Sequence, residues 1–463
     1  MDMEICLNVS PHTHPAVAKV DRSGSTHFGN THGRRTALVA AGTLVLTLGF
    51  STHVGMAADP EASDDSTAEL AGNWEERRVA SEADRLKNWP NLLGPAAGVS
   101  PAKGLLMNWN GETGEGIKWK TRIPLPGYSS PIYWDGKLYL TGANASTRVV
   151  YCIHSQSGEI IWERQVKGIP GSPGDLRVGE DTGYAASTMA TDGVRVFASF
   201  ANGDLAAFDL EGSPIWSKNL GKPDNLYGHA SSLVTHGDNL LIQYDQENLG
   251  YVAALDVETG EERWRTERDF GSSWSMPMVA TIGAREEVIL AAEPTVVSYD
   301  LKSGKELWRI DCLKYGEVTS VPVYADGLVY VSADSANLSA IDVKTRKIVW
   351  ESGFSKPGVS TPLLHEGLLY CAADDGAFAC YDAKTGEEFW AEFEDYGFYA
   401  SPILADGRVH LLDRGGTMHI LKPGRELEIL GHSVLGEESS CTPAVVGDSF
   451  YIRGLKHLFR IGP

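Results

Sequence analysis

Short apolar runs recur along most of this chain, each three to six residues long and each bounded by glycine, aspartate or proline. One unit shows the grammar. Ser360 and Pro362 open a first run, and Glu366-Gly367 turn into a second run at 368–371. Asp374, Asp375 and Gly376 turn into a third at 378–381. The stretch from Asp382 to Gly386 then leads to a fourth run that ends in Trp390. Glycine and aspartate supply the left-handed backbone positions of tight turns, and β-branched and aromatic residues fill the strands between. The pattern predicts four short antiparallel strands per unit.

The closing tryptophan marks the period. Trp119, Trp162, Trp216, Trp264, Trp308, Trp350 and Trp390 follow one another at steps of 43, 54, 48, 44, 42 and 40 residues. A period of this length with four strands per unit describes the blades of a β-propeller. Six full units occupy 129–390, and a seventh runs over 400–430 with Leu430 at the tryptophan position. The stretch 441–461 supplies three strands only. The missing fourth is available at the front, in 110–119, so the fold expected is all-β: an eight-bladed propeller of four-stranded antiparallel blades, closed by pairing of its N- and C-terminal strands. Closure removes the free edges of a linear array. A large apolar residue at the same place in every unit reads as packing between blades.

Three segments follow from this organisation. Residues 88–463 form the propeller. Residues 59–87 are an acidic linker with a short helix around Trp74–Leu86. Residues 1–58 read as an N-terminal extension and export signal: Arg34 and Arg35 precede an apolar run at 36–50, and small residues at 55–58 offer a cleavage point near Ala57 or Ala58. The expected location is therefore outside the cytoplasm, in the periplasm or cell envelope, with no transmembrane anchor. Lys and Arg number 40 against 61 Asp and Glu, a formal net charge of −21. That balance argues against nucleic acid or an anionic membrane surface as partner. The chain is expected to be a monomer.

Past the signal there are five cysteines: Cys152, Cys312, Cys371, Cys380 and Cys441. Their spacing is not that of a metal site or disulfide framework. If Asp375-Gly376 form a two-residue hairpin loop, Cys371 lies opposite Cys380, within reach of a disulfide; two small core thiols are the alternative. No metal site is expected.

Propeller geometry gathers the loops between blades, and those between second and third strands, around the mouth of the central channel. These loops carry Tyr128, Tyr184, Tyr227, His229, Trp274, Tyr315, Glu317, Tyr396, Tyr399, Glu437 and Glu438. An aromatic ring with interspersed carboxylates suits a cation or a sugar-like ligand. If the protein is an enzyme, His229 with Asp245 or Glu247 is the acid/base pair, and Glu317 a further candidate. The long loop 163–188 is the candidate lid.

The blade signature resembles the repeat of pyrroloquinoline-quinone-type propellers. That group includes quinoprotein alcohol and glucose dehydrogenases and a non-catalytic scaffold of the outer-membrane β-barrel assembly machinery. The lead-in with Trp89-Pro90, Gly94-Pro95, Gly98 and Ser100 resembles that of secreted members from planctomycete-type bacteria. The quinoprotein enzymes use an adjacent cysteine pair, a tryptophan and a calcium or lanthanide. This chain has no Cys-Cys dipeptide and no Cys-x-x-Cys-His haem motif, and it lacks the long insertions that cap those active sites. The expectation is an exported, non-catalytic binding or scaffolding propeller without a cofactor, whose partner is an envelope protein or a small polar ligand. Two alternatives stand beside it: a dehydrogenase of alcohols or sugars using pyrroloquinoline quinone with Ca²⁺, and an outer-membrane protein assembly factor.

Overall fold

A computed structural model describes residues 79–463, except 175, 248 and 249. The export signal at 1–58 and most of the acidic linker lie outside the described residues. Of the expected helix only Glu82–Arg85 is helical within them, capped by the Ser81 side chain.

Eight four-stranded sheets make up the fold. Blade one spans 132–165, blade two 190–219, blade three 234–268 and blade four 278–311. Blade five spans 323–352, blade six 363–393 and blade seven 403–434. Blade eight takes Ala444–Val446, Ser449–Arg453 and His457–Ile461 from the C-terminus and Ile117–Arg122 from the front. The last pairing sets Ile117 opposite Ile461 and Arg122 opposite His457. The second and third strands of each blade are nearly all buried, because both of their faces pack on neighbouring blades.

Two contacts join one blade to the next. The first is the tryptophan. Trp216 of blade two donates its indole N–H to Val257 O of blade three at 3.0 Å, and Trp162, Trp264, Trp350, Trp390 and Trp119 make the equivalent bond. The acceptor lies in a turn whose glycine faces the ring: a Cβ on Gly260 would sit 2.6 Å from Trp216. At φ +72 that position is doubly reserved for glycine. Blade five has Arg346 there instead, at φ 57, and Trp308 of blade four turns to Glu287 of its own blade.

The second contact is a hydroxyl at the entry to the innermost strand of six of the eight blades. Ser130 N–H donates to Thr188 Oγ1, and Thr188 N–H to Ser232 Oγ. Val321 donates to Thr361, Thr361 to Ser401, Ser401 to Thr442 and Thr442 to Ser130, all at 2.9–3.1 Å. The two steps from Ser232 to Met276 and from Met276 to Val321 lack this bond, because neither Met276 nor Val321 carries a hydroxyl.

The register corrects one reading of the sequence. A bulge between Ile420 and Leu421 pairs Ile420 with Gly431, just as Cys380 pairs with Trp390. Gly431, not Leu430, therefore stands at the tryptophan position of blade seven. Residues 107–109 lie alongside that strand: Trp109 N–H donates to Ser433 Oγ, which donates to Met107 O.

The disulfide is also corrected. The hairpin loop holds three residues, 374–376, with Ala373 paired to Ala377, so Cys371 pairs with Ala379 and Cys380 with Tyr370. One extra residue places the two thiols on opposite faces of the sheet, where they join different core clusters. Both cysteines are free.

Residues 88–100 cross the end of the channel away from the mouth. Trp89, fully buried, exchanges two backbone hydrogen bonds with Tyr133 of blade one. Pro90 O accepts from Thr191 of blade two. Leu93 enters the core of blades three and four. Val99 and Ser100 reach blades seven and eight through Leu404 and Val445. Gly94, at φ +67, lets the chain fold back on Trp89: a Cβ there would lie 2.6 Å from the indole.

Candidate functional site

The mouth face holds a funnel of about 200 Å³ on the channel axis. Its walls are Tyr128, Tyr227, Trp274 and Tyr399, carried on the loops that enter blades one, three, four and seven. Its lower part is lined by the linking hydroxyls of Ser130, Thr188, Ser232, Thr361, Ser401 and Thr442, and Leu92 of the crossing segment lies at the bottom. Each linking oxygen already accepts a backbone N–H, which leaves its own O–H to donate.

Packing fixes the aromatic wall. Tyr227 meets Trp274 edge-on at 5.0 Å, and Trp274 donates its indole N–H to Gly228 O at 3.1 Å. The Arg414 guanidinium lies 4.2 Å over the Tyr399 ring. Asp181 and Glu317 stand at the rim. Burial raises the Tyr128, Tyr227 and Tyr399 hydroxyl pKa values, and the Asp181 carboxylate adds to each shift. Glu317 is also raised, by burial first, then by Asp334 and Asp181, against a hydrogen bond with Tyr227. The funnel therefore keeps neutral phenols beside carboxylates.

Of the sequence-expected mouth residues, Tyr128, Tyr227, Trp274, Tyr399 and Glu317 meet in this funnel. Tyr184 turns away and donates its hydroxyl to Leu176 O. Tyr315 is 88% exposed at φ 66, and Glu438 is exposed on its loop. Tyr396 projects outward, and Glu437 holds His457 at 2.7 Å. The loop 163–188 forms part of the wall: Gly179 N–H bonds to Leu226 O, and Asp181 and Thr182 reach the rim.

The acid/base pair does not form. Asp245 is fully committed elsewhere: Oδ1 accepts from Arg268 Nε at 2.7 Å, and Oδ2 accepts from Arg268 Nη2 and Gln243 Nε2. Arg268 in turn donates to the Tyr299 hydroxyl. This network is buried where blade three meets blade four, and an unpaired arginine there would be costly. His229 is buried against Tyr244, with ring centroids 5.5 Å apart, and its Nε2 has no partner. Burial alone pushes its pKa down to about 4. Glu247 meets the Ser272 hydroxyl at 3.5 Å.

The hydroxyl ring and Leu92 escaped sequence reading, although the serine or threonine before proline at Ser130, Thr361, Ser401 and Thr442 was a visible signal.

Fold and funnel define a propeller of the pyrroloquinoline-quinone-like repeat type. Residues 96–281, 248–353 and 292–427 match the family model described as outer membrane protein assembly factor BamB, and the chain belongs to that family. A curated relative, outer membrane protein assembly factor BamB of Yersinia pestis, is 24% identical over 274 residues, covering 57% of this chain and 55% of its own. The chain spans 36% to 55% of the length of the curated relatives it matches. The crystal structure of BamB from Moraxella catarrhalis aligns with a TM-score of 0.55 at 15% identity, over 74% of this chain and 99% of that one. A europium-containing methanol dehydrogenase aligns with a TM-score of 0.60 at 13% identity, over 82% and 90%. At these identities the structural likeness establishes the fold.

Proposed function

We propose that this chain is an exported, non-catalytic binding and scaffolding propeller of the cell envelope, holding its partner against the mouth face. The observation that carries this reading is the funnel itself: a small cup with neutral phenols, ring hydroxyls and a carboxylate rim, in which His229 and Asp245 do not meet. Leu226, Tyr315, Phe354 and Tyr396 add to it. They are among the most exposed large apolar side chains, and all lie on loops between blades. Exposed apolar side chains on the loops of one face favour a protein partner. Family membership supports the narrower reading that the partner belongs to outer-membrane protein assembly.

The dehydrogenase reading requires the funnel to hold pyrroloquinoline quinone, a planar tricarboxylate. The residues present do not fit it. The rim carboxylates of Asp181 and Glu317 would face the carboxylates of the quinone, and Arg414 is already stacked on Tyr399. The cavity is also smaller than the roughly 300 Å³ at which ordinary ligand pockets begin.

Photo-crosslinking from positions 315, 354 and 396 in cell envelopes tests the proposal. Capture of a component of the outer-membrane insertion machinery supports the assembly reading, and capture of one other envelope protein supports a scaffold of different purpose. Stoichiometric binding of the quinone with Ca²⁺, with dye reduction by an alcohol or sugar, would overturn both.

A further inference from the structure

A second cluster of chemistry-bearing side chains lies away from the funnel, where the loop from blade six meets blade seven. His419 and His432 are direct cross-strand partners on the third and fourth strands of blade seven, so their side chains share one face. Their rings stand at 89°, with the two Nδ1 atoms 3.1 Å apart. Glu394, from the incoming loop, brings Oε1 to 3.3 Å from the same His419 Nδ1.

The other side of His419 settles its tautomer. Asp413 Oδ1 accepts from Thr417 N–H, and its Oδ2 lies 3.0 Å from His419 Nε2. The Asp413 carboxylate is an acceptor, so Nε2 carries the proton and Nδ1 presents a lone pair. Phe378 and Phe398 wall in the ring, and the His419 side chain is 2% exposed. That lone pair faces a carboxylate oxygen and a second imidazole nitrogen. Without a metal, His432 Nδ1–H donates to that lone pair at 3.1 Å; a cation bound here takes the place of that proton and meets the Glu394 oxygen as well.

We propose that His419 Nδ1, His432 Nδ1 and the Glu394 carboxylate bind a divalent transition-metal ion of the zinc type, with Asp413 as the positioning residue behind His419. Tetrahedral zinc with Zn–N bonds of about 2.05 Å separates neighbouring ligand atoms by about 3.3 Å. The two separations observed, 3.1 and 3.3 Å, match that figure. Imidazole nitrogen with carboxylate oxygen is a zinc-type donor set, and a carboxylate on the far nitrogen of a ligating histidine orients the ring and raises its basicity. Among the described residues no three His, Cys, Asp or Glu side chains are already placed to hold a metal ion, so this site forms only if Glu394 moves. Glu394 is on a loop with its side chain 30% exposed, so a turn of that side chain completes the third bond. His432 is exposed, which leaves the fourth position to water. The ion would clip the loop leaving blade six to the outer strands of blade seven, the blade with Gly431 in place of a tryptophan.

The test is calorimetric titration of the chelator-stripped full chain with Zn²⁺, comparing wild type with His432→Ala, Glu394→Gln and Asp413→Asn. One wild-type site is expected to vanish in His432→Ala and to weaken in Glu394→Gln. Asp413→Asn should weaken it by about 10–100-fold, as for other outer partners of metal-bound histidines. Thermal melts with and without Zn²⁺ should show a rise in wild type that His432→Ala loses, although the exposed His432 leaves that variant folded. Absence of binding at micromolar Zn²⁺, or an unchanged number of sites in His432→Ala, would overturn the assignment. The second outcome would place the ion on other histidines of the chain.

Discussion

The Trp308 indole donates to the Glu287 carboxylate at 3.0 Å, inside its own blade, whereas the other tryptophans of this series reach across to the next blade. Arg346 holds the turn position that elsewhere belongs to glycine, and the carbonyl that Trp308 would have used goes without it. The same seam, between blades four and five, also lacks the hydroxyl link, since Val321 stands where six other blades carry serine or threonine. Of the eight seams it alone lacks both contacts. Native-state hydrogen exchange is expected to show the strands at 278–282 and 323–325 opening before the innermost strands of blades six to eight. Uniform protection around the ring would contradict this.

Glu287 is 1% exposed and accepts from Ser298 Oγ as well as from Trp308. Glu287→Ala leaves two buried donors without a partner, at a cost of about 1–3 kcal/mol each. Urea denaturation should read the loss directly, and Glu287→Gln should recover part of it.

The glycine turns give a second stability test. Gly260→Ala places a methyl group 2.6 Å from Trp216 at a positive φ. Strain at such a position costs on the order of 1–3 kcal/mol. Gly283→Ala, also at positive φ but with no atom within 4 Å, carries the backbone term alone and should be the milder change in a paired denaturation experiment.

Stability should fall as the pH drops below neutrality. His229 and His410 are buried, and burial holds both at about 4 against an ordinary 6.5. Above pH 6.5 both are neutral in folded and unfolded chains alike. Between 6.5 and about 4 the unfolded chain takes up protons that the folded one refuses, so stability is lost through this window and the loss levels off below it. The two shifts together amount to several kcal/mol, about 3 for each histidine. His229→Gln should flatten the pH dependence of the urea midpoint, and an unchanged slope would count against burial as the cause.

The thiols of the described residues should be inert until the chain unfolds. Burial pushes Cys152, Cys312 and Cys380 up to about 12, and Cys371 also stands well above the usual thiol range. The thiolate is the reactive form. In the native protein at neutral pH a thiol reagent should leave Cys152, Cys312, Cys371 and Cys380 almost untouched, and in denaturant without reductant it should find both Cys371 and Cys380. Blocked cysteines after denaturation would restore the disulfide.

The ring and its closure were legible because a tryptophan ends almost every blade, and the glycine turn before it sets the period. Legibility stopped wherever a single residue changes the register. The loop at 374–376 holds three residues rather than two, and that alone separates Cys371 from Cys380. The bulge at Leu421 moves the tryptophan position from Leu430 to Gly431, and the same uncertainty hid the pairing of His419 with His432. Burial was the other blind spot. His229 follows a glycine in a polar loop, yet its ring is packed on Tyr244, and nothing local announces that Arg268 has claimed Asp245. The aromatic wall of the funnel was readable from loop position; the hydroxyls and Leu92 beneath it depend on contacts between distant segments.

The strand at Ile117–Arg122 also has a consequence in time. Its partner residues end at Ile461, so 344 residues separate the first member of that pairing, Ile117, from its mate. Emerging from a ribosome, the strand must wait through the synthesis of seven complete blades with its hydrogen-bonding edge unmatched, and the segment at 88–100 waits with it for blades seven and eight. A nascent chain of this design carries an open edge until its final residues arrive, the state in which strand-rich chains are most prone to pair with the wrong neighbour.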